Sequence, residues 1–135
     1  MGYAEALEGV KTIAVVGASP RANRPSYGVM EYLINAGFDV IPINPGHAGR
    51  KILGQAVYAS LSDSPKHVDM VNVFRQSKYV PEIVQEAMET FPELKSIWLQ
   101  LDVMDDASAQ VAEAKQIAFV QDACVKIEHR DLAKA

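Results

Sequence analysis

Short apolar runs alternate with amphipathic segments along most of the chain. Thr12 to Val16 is a β-branched run that ends at Gly17, and its continuous hydrophobicity predicts a strand buried on both faces. After a loop rich in Ser, Pro and Asn, residues 27–36 place apolar side chains at helical spacing, and Gly37 follows as a helix stop. The chain therefore opens with a strand followed by a helix.

The same alternation repeats toward the end of the chain. The predicted strands are residues 38–43, 68–74, 96–99 and 118–120, and the predicted helices are residues 80–90 and 107–115. Between residues 45 and 67 only a brief helix at Leu61 to Asp63 is predicted. Short connections between like strands favour parallel strands with crossover helices. We predict a Rossmann-like three-layer α/β/α fold with a five-stranded, mostly parallel sheet.

The length, composition and net charge of the chain fit this fold and limit the classes of binding partner. With 135 residues, 49% of them hydrophobic, the chain has the size of one domain with one core. Its 13 Lys and Arg against 17 Asp and Glu give a formal net charge of −4. This balance predicts no general affinity for nucleic acid or acidic membrane surfaces. Any phosphate site must be local.

Cysteine usage and the first residues bear on location. The lone Cys124 has no partner for an internal disulfide, and no Cys/His cluster has zinc-ligand spacing, which together favour a reducing cytoplasmic setting and predict no metal. The first eleven residues carry Glu5 and Glu8 and lack the basic start and apolar core of a signal peptide. No apolar segment approaches the length of a membrane span.

The turn after the first strand is the first candidate for ligand chemistry, because ligands of open parallel sheets bind at the carboxyl ends of the strands. Gly17 permits a tight turn, and the following helix presents free N–H groups and the positive end of its dipole. Ser19, Arg24 and Ser26 add donors for a pyrophosphate. Alternatively, Gly17 only ends the strand and Ser26 only caps the helix, and the residues of this turn leave both interpretations open.

The end of the second strand bears on the type of nucleotide. The chain lacks the Gly-x-Gly-x-x-Gly pattern, and the strand is followed by Asn44-Pro45 instead of an acidic residue for ribose hydroxyls. These two features disfavour NAD. A nucleotide with an additional ribose phosphate fits better, and NADP meets that condition too.

The remaining strand ends carry further candidates. Phe74 is suited to line an adenine slot, and Arg75 is suited to pair with a phosphate. An equal alternative is that Phe74 packs in the core and Arg75 points into solvent. Gln100 follows the fourth strand and is expected to point its amide into the same crevice. Near the C-terminus, Asp122 is predicted to cap a helix with Cys124 in its first turn, which makes the thiol a candidate for redox chemistry, although buried cysteines are usually inert.

These strand-end blocks resemble the small stand-alone CoA-binding domain proteins, which are related in fold to the CoA-binding domain of the succinyl-CoA synthetase alpha subunit. The resemblance covers residues 12–132. Its most specific blocks are Val-Gly-Ala-Ser at 16–19, Arg-Pro-Ser-Tyr-Gly-Val at 24–29, Ile-Pro-Ile-Asn-Pro at 41–45, Val-Phe-Arg at 73–75, Trp-Leu-Gln at 98–100, and Cys124.

The resemblance implies coenzyme A as the ligand. Its pyrophosphate would lie on the Gly17 to Ser19 turn, its adenosine between Asn44-Pro45 and residues 73–75, and its pantetheine arm toward Gln100 and Cys124. The candidate binding residues are Gly17, Ala18, Ser19, Arg24, Ser26, Tyr27, Asn44, Pro45, Val73, Phe74, Arg75, Gln100 and Cys124.

Two departures from the family pattern predict weaker binding. Members often have a basic residue where this chain has Gly46, for which Arg50 or Lys51 are candidate substitutes, and Gly where this chain has Asp102. In addition, Gly46-His47-Ala48-Gly49 spells the phosphohistidine loop of succinyl-CoA synthetases, but it follows the second strand here, so His47 is assigned to a loop without a role.

The favoured function is a CoA carrier or sensor without catalytic residues, whose Cys124 forms a mixed disulfide with CoA under oxidation. An NADP-sensing domain and a component of an acyl-CoA ligase or transferase are the alternatives. The sequence leaves open whether free CoA or an acyl-CoA is preferred, and whether the chain pairs with a second copy or another protein.

Overall fold

A central parallel sheet organises residues 2–134, which the computed structural model describes. In chain order the strands are β1 (Thr12–Val16), β2 (Asp39–Ile43), β3 (Lys51–Ile52), β4 (Gln55–Ala56), β5 (Met70–Val73), β6 (Ser96–Leu99) and β7 (Ala118–Val120). The main sheet has the order β2-β1-β5-β6-β7, and all four of its pairings are parallel. The predicted α/β fold with a five-stranded sheet is confirmed.

Helices cover both faces of this sheet. They are α1 (Tyr3–Leu7), α2 (Pro25–Asn35), α3 (Val80–Thr90), α4 (Asp106–Ala114) and α5 (Val125–Lys134). Buried side chains of α3 and α4 pack against one face, and those of α1, α2 and α5 pack against the other. Along β1, Ala14 and Val16 join the first cluster while Ile13 and Val15 join the second, as strand alternation requires. The three-layer arrangement follows.

The strand order places a topological switch point beside β1. The chain passes from β1 to β2 on one side and then returns to β5 on the other side of β1. Connections leave the carboxyl ends of β1 and β5 in opposite directions, so a crevice opens between them. The turn after β1 and the segment after β5 therefore lie at the centre of the edge where open parallel sheets bind their ligands.

Several boundaries differ from the sequence prediction by one or two residues. Helix α2 begins at Pro25 instead of residue 27, because extended Arg24 is the N-cap and proline suits the first helical position. Helix α4 begins one residue earlier than predicted because the Asp105 carboxylate accepts a hydrogen bond from the Ser108 N–H at 3.1 Å. Strand β5 is shorter than residues 68–74, whereas the short 3-10 helix Leu61–Asp63 lies where a brief helix was predicted.

The predicted start of the C-terminal helix is wrong. Asp122 does not cap it: Asp122 has a left-handed φ of 53°, and its carboxylate accepts a hydrogen bond from the Asp102 N–H at 2.7 Å. Helix α5 begins at Val125, so Cys124 precedes the first turn, and its carbonyl accepts from the Glu128 N–H at 3.0 Å. The Asp122 side chain is used to hold a neighbouring loop.

Helix α1 and the strands β3 and β4 were not predicted from the sequence. Helix α1 is five residues long and packs on the sheet, where its Ala6 carbonyl accepts a 2.7 Å hydrogen bond from the buried Ser96 hydroxyl. Strands β3 and β4, each two residues long, form an antiparallel hairpin after β2.

Within the part of the chain that the structure describes, no helix is long and apolar enough to cross a membrane.

Candidate functional site

The turn after β1 requires glycine at position 17. Gly17 has a φ of 88°, and both its N–H and that of Ala18 donate to the Ile43 carbonyl, at 3.0 and 3.3 Å. A Cβ at position 17 would lie 3.1 Å from Cγ of Arg75 and 3.3 Å from the carbonyl carbon of Phe74. Conformation and space both exclude a side chain here. The bare backbone of this turn faces the switch point.

Two serines shape the loop that leads from this turn into α2. The Ser19 N–H donates to Oγ of buried Ser26 at 3.1 Å, and the Arg21 N–H donates to Oγ of Ser19 at 3.2 Å. Ser26 lies inside α2 and its hydroxyl faces back to the loop, so the interpretation that it only caps the helix is wrong. Arg24, the N-cap, forms no side-chain capping bond. The N-cap side chain thus leaves the first turn of α2 without a capping bond, although Pro25 has no N–H and the Tyr27 N–H already donates to the Arg24 carbonyl at 3.0 Å.

Asn44 joins the ends of β1 and β2. Its Nδ2 donates to the Ala18 carbonyl at 2.7 Å, and its Oδ1 accepts from the Gly46 N–H at 2.8 Å. The second bond caps the 3-10 turn Pro45–His47. One side chain therefore fixes the loop after β2 against the turn after β1.

These elements surround a cleft of about 730 Å³, which we call the α2 cleft. Its walls combine the turn after β1, the N-terminus of α2, the loop after β2 and the segments after β5 and β6. The lining residues are Gly17, Ser19, Arg21, Arg24, Pro25, Ser26, Asn44, His47, Phe74, Gln100, Leu101, Asp102 and Val103. Seven of the sequence candidates meet here: Gly17, Ser19, Arg24, Ser26, Asn44, Phe74 and Gln100.

The two ends of the α2 cleft differ in chemistry. Exposed Arg21 and Arg24 line one end beside the helix dipole, and neither forms an ion pair within residues 2–134. At the other end Gln100 is 5% exposed, and its Oε1 is buried with no hydrogen-bond partner among the described residues. A buried acceptor without a donor is costly, so this atom is suited to a ligand N–H or O–H. Of the residues that line this cleft, Asp102 alone is a carboxylate.

A second cleft of about 470 Å³ lies on the α3 side of the sheet, and we call it the α3 cleft. It shares Gly17 and Asn44 with the α2 cleft and adds Pro45 and Arg75. The Arg75 guanidinium stacks on the Tyr79 ring at 3.9 Å from its centroid. The other residues that line the α3 cleft are apolar except for one serine and two glutamates. They are Val16, Ile43, Ala59, Ser60, Leu61, Glu82, Ile83 and Glu86. Phe74 and Arg75, adjacent in sequence, thus serve different clefts.

Four sequence candidates line neither cleft. Ala18 and Val73 are fully buried, and Tyr27 is half-buried against the apolar cluster beneath α2. Cys124 is 8% exposed and packs in that same cluster. The carbonyl of Ala18 still takes part indirectly because it holds Asn44. The structure does not bring the Cys124 thiol to the cleft wall.

Sequence reasoning missed part of the cleft wall. Arg21 lies in an irregular loop that carries no periodic pattern, and His47 was assigned to a loop without a role. Leu101 and Val103 follow directly after Gln100, so reading three residues further past the strand would have found them. Asp102 has a φ of 67°, a conformation that glycine adopts more easily, which is a backbone reason for the glycine that the family resemblance leads us to expect there.

The chain resembles known proteins in both sequence and fold. Residues 11–130 match the family model described as a CoA binding domain. The uncharacterized protein YneT of Bacillus subtilis (strain 168) is 34% identical over 93% of this chain and 90% of its own length. The alpha subunit of the ADP-forming acetate–CoA ligase I of Pyrococcus furiosus is 34% identical over 61% of this chain, which spans only 19% of that subunit. A hypothetical protein from Pyrococcus horikoshii OT3 superposes with a TM-score of 0.88 at 32% identity, covering 97% of this chain and 89% of its own.

Proposed function

Because this chain belongs to the CoA-binding domain family, we propose that it binds coenzyme A or an acyl-CoA at the two clefts of the switch point and acts as a carrier or sensor. The observation that carries this proposal is the composition of the α2 cleft. It combines bare backbone at Gly17, guanidinium groups at Arg21 and Arg24 that form no ion pair within residues 2–134, and an orphaned acceptor at Gln100.

The cationic end is suited to the pyrophosphate. The N-terminus of α2 offers the positive end of the helix dipole and the Ser26 N–H, and phosphates bind at helix N-termini. Arg24 stands beside that turn, and its planar guanidinium offers paired donors to phosphate oxygens. We infer that Gly17 to Ser19 lies under the pyrophosphate.

The other end of the α2 cleft is suited to the pantetheine arm. That arm carries two amide groups on an aliphatic chain, and the wall here is apolar at Phe74, Leu101 and Val103 with one amide at Gln100. The orphaned Oε1 of Gln100 accepts from an amide N–H of the arm, which removes an unpaired buried acceptor from the free protein. We place the adenosine in the α3 cleft, where Asn44, Pro45 and Arg75 meet apolar walls.

Calorimetric titration of the purified, reduced chain tests this proposal. CoA, acetyl-CoA, NAD, NADP and ADP are titrated in parallel, and we expect saturable CoA binding clearly tighter than that of NAD or NADP. Gln100→Ala is expected to weaken CoA binding on the order of tenfold. Gln110→Ala, on the exposed surface of α4, is the matched control and should change nothing. Tighter binding of NADP than of CoA, or no CoA binding, would contradict the proposal.

The likeness to the Pyrococcus furiosus ligase subunit favours a second candidate, in which this chain supplies the CoA site of an acyl-CoA ligase assembled with other chains. This candidate predicts that the native protein co-purifies with ADP-forming acyl-CoA ligase activity. Isolation of the native chain by itself with CoA bound would instead support the carrier or sensor.

A further inference from the structure

The wall of the α2 cleft past β6 is a tight turn. Residues 100–103 follow β6, and all four line the cleft. The Val103 N–H donates to the Gln100 carbonyl at 3.0 Å and closes the turn, in which Asp102 takes the third position with a φ of 67°. Aspartate adopts this conformation less readily than glycine, so contacts from outside the turn help to hold it.

The segment that follows β7 supplies these contacts. It comprises residues 121–123, and we call it the β7 segment. The Asp122 carboxylate accepts from the Asp102 N–H at 2.7 Å, and the Asp122 N–H donates to the Val103 carbonyl at 3.2 Å. The N–H of the third residue of a β-turn is not used by the turn's own hydrogen bond, so the Asp122 carboxylate takes a donor that the turn leaves over. One residue thus bonds to the turn through both its side chain and its backbone.

The β7 segment continues this contact on both sides of Asp122. Oε1 of Gln121 accepts from the Asp105 N–H at 2.7 Å, and its Nε2 donates to the Asp106 carboxylate at 3.1 Å. The Ala123 carbonyl accepts from the buried Trp98 indole N–H at 2.9 Å. The segment therefore holds the chain from β6, through the turn, to the start of α4.

The turn places the wall that is suited to the pantetheine arm. Gln100, with its orphaned acceptor, begins the turn, and Leu101 and Val103 are its apolar wall residues. We propose that Asp122 is a positioning residue of the α2 cleft, which holds this turn in the conformation that receives the arm. This inference rests on the proposed function. Because a bound arm would stabilise the same turn, ligand binding and opening of the β7 segment oppose each other.

Two substitutions at Asp122 isolate its hydrogen bond to the turn. Asp122 has a φ of 53°, which both glycine and asparagine tolerate. Asp122→Gly removes the acceptor, whereas Asp122→Asn removes the same charge and retains an acceptor oxygen. In calorimetric titration of the full chain, we expect Asp122→Gly to bind CoA about three- to tenfold more weakly than Asp122→Asn. ADP, which lacks the pantetheine arm, should bind equally to both.

Gln116→Gly is the matched control for the change of backbone. Gln116 is exposed and also left-handed, with a φ of 62°, but it precedes β7 and so lies at the opposite edge of the sheet. This variant should bind CoA and ADP as the wild type does.

Cys124 provides a second readout because it directly follows the β7 segment. Its thiol is 8% exposed, so its alkylation by iodoacetamide, followed by mass spectrometry, reports local opening. Acetyl-CoA has no free thiol that would consume the reagent, and at saturation it should slow alkylation of the wild type roughly fivefold or more. ADP should leave the rate unchanged. Asp122→Gly should be alkylated faster than Asp122→Asn.

The outcomes separate this inference from the proposed function. Equal CoA affinity of Asp122→Gly and Asp122→Asn overturns the role of Asp122, while CoA binding itself still stands. An equal loss of ADP binding in Asp122→Gly also overturns it, because that result indicates a general effect on the fold. Alkylation that bound acetyl-CoA does not slow contradicts the coupling of the β7 segment to the cleft. If CoA does not bind the wild type, the proposed function fails first and this inference fails with it.

Discussion

The side-chain amide of Asn44 donates a 2.7 Å hydrogen bond to the carbonyl of Ala18 and so joins the carboxyl ends of two neighbouring strands. Its own carbonyl oxygen accepts from the Gly46 N–H. The residue thus connects the turn after β1 to the loop that carries His47, and both clefts include it. Its hydrogen bonds hold these two segments in register.

Asn44→Ala is therefore expected to weaken both stability and binding. Loss of two hydrogen bonds costs roughly 1–3 kcal/mol of unfolding free energy, and CoA binding weakens because the turn and loop separate. Urea unfolding and calorimetric titration measure the two effects. Asn35→Ala at the exposed end of α2 is the control. Wild-type affinity in Asn44→Ala would show that Asn44 does not organise the site.

Two glycines allow a matched test of the turn after β1. Gly17→Ala forces a side chain into a left-handed backbone and against Phe74 and Arg75, so we expect a loss of about 1–3 kcal/mol and greatly weakened CoA binding. Gly28→Ala adds the same methyl group inside α2, where no atom beyond the adjacent residues and the helix backbone lies within 4 Å of the added carbon.

The Gly28→Ala control should gain about 0.5–1 kcal/mol from helix propensity and retain CoA binding. Thermal unfolding and titration check both variants. A Gly17→Ala protein as stable as the wild type would show that the turn relaxes easily and that glycine is not required there.

The sequence predicted the sheet well because its buried strands are continuous apolar runs. Strands β1, β6 and β7 match the predicted bounds. Lys11 and Gly17 limit the first of these runs, and Lys95 and Gln100 limit the second. Hairpin β3–β4 was missed because two-residue strands are too short to show a period of two. Helix α1 is only five residues long and gives no helical period.

The candidate site was predicted in part for a similar reason. Strand ends locate an edge of the sheet, but they do not tell which face a side chain takes, so Phe74 and Arg75 were assigned to one slot and occupy two. Aspartate is a residue type that often caps helices, yet the Asp122 carboxylate accepts a hydrogen bond from the N–H of Asp102, twenty residues earlier in the chain. A contact of that kind depends on the tertiary structure and leaves no local signal.

Asp69 stabilises the opposite, amino-terminal edge of the sheet in a pH-dependent way. Burial alone would raise the pKa of its carboxyl, but hydrogen bonds from the Thr12 and Lys11 N–H groups, both at 3.0 Å, together with His67 and Lys95, lower the pKa below the ordinary 3.8. The folded pKa is thus below the unfolded one. The stabilisation is complete above pH 3.8 and is lost as the pH falls through the folded value.

Asp69→Asn is expected to lower the free energy of unfolding at pH 7 by about 1 kcal/mol, because the bonds to a charged acceptor become neutral ones. Its stability should also fall less steeply than that of the wild type below about pH 4. Urea unfolding at several pH values measures this. Asp39→Asn, which removes an exposed ion pair with Lys66, should change the unfolding free energy by less than about 0.5 kcal/mol. Parallel pH profiles for Asp69→Asn and the wild type would refute the assignment.

Cys124 allows a test of the mixed disulfide with CoA that the sequence analysis predicts. In a mixed disulfide, the Cys124 thiolate attacks one sulfur of CoA disulfide, the sulfur–sulfur bond of that reagent breaks, and one CoA thiolate leaves. The thiol is buried at 8% exposure, so the reaction requires local opening before α5. We expect one adduct by mass spectrometry that forms slowly, forms faster in mild urea, and is absent in Cys124→Ser. An adduct that persists in this variant, or none even in urea, rejects the redox role.

Substitutions at Asp102 distinguish the effect of its charge on CoA binding from the effect of its backbone conformation. It is exposed, its φ is 67°, and its N–H is held by Asp122. Asn tolerates this conformation, so Asp102→Asn removes the charge and retains the backbone. We expect CoA to bind about two- to fivefold more tightly to this variant in low salt, with the gain shrinking as salt screens the carboxylate of the wild type.

Asp102→Gly removes the same charge and relieves the left-handed strain, so it should match Asp102→Asn in affinity if charge is the cause. Glu93→Gln is the charge-matched control, because Glu93 precedes β6 at the opposite edge of the sheet. Titration at several salt concentrations compares all three. A gain in Asp102→Gly alone would assign the effect to the backbone, and an equal gain in Glu93→Gln would assign it to net charge and not to the position of Asp102 at the cleft.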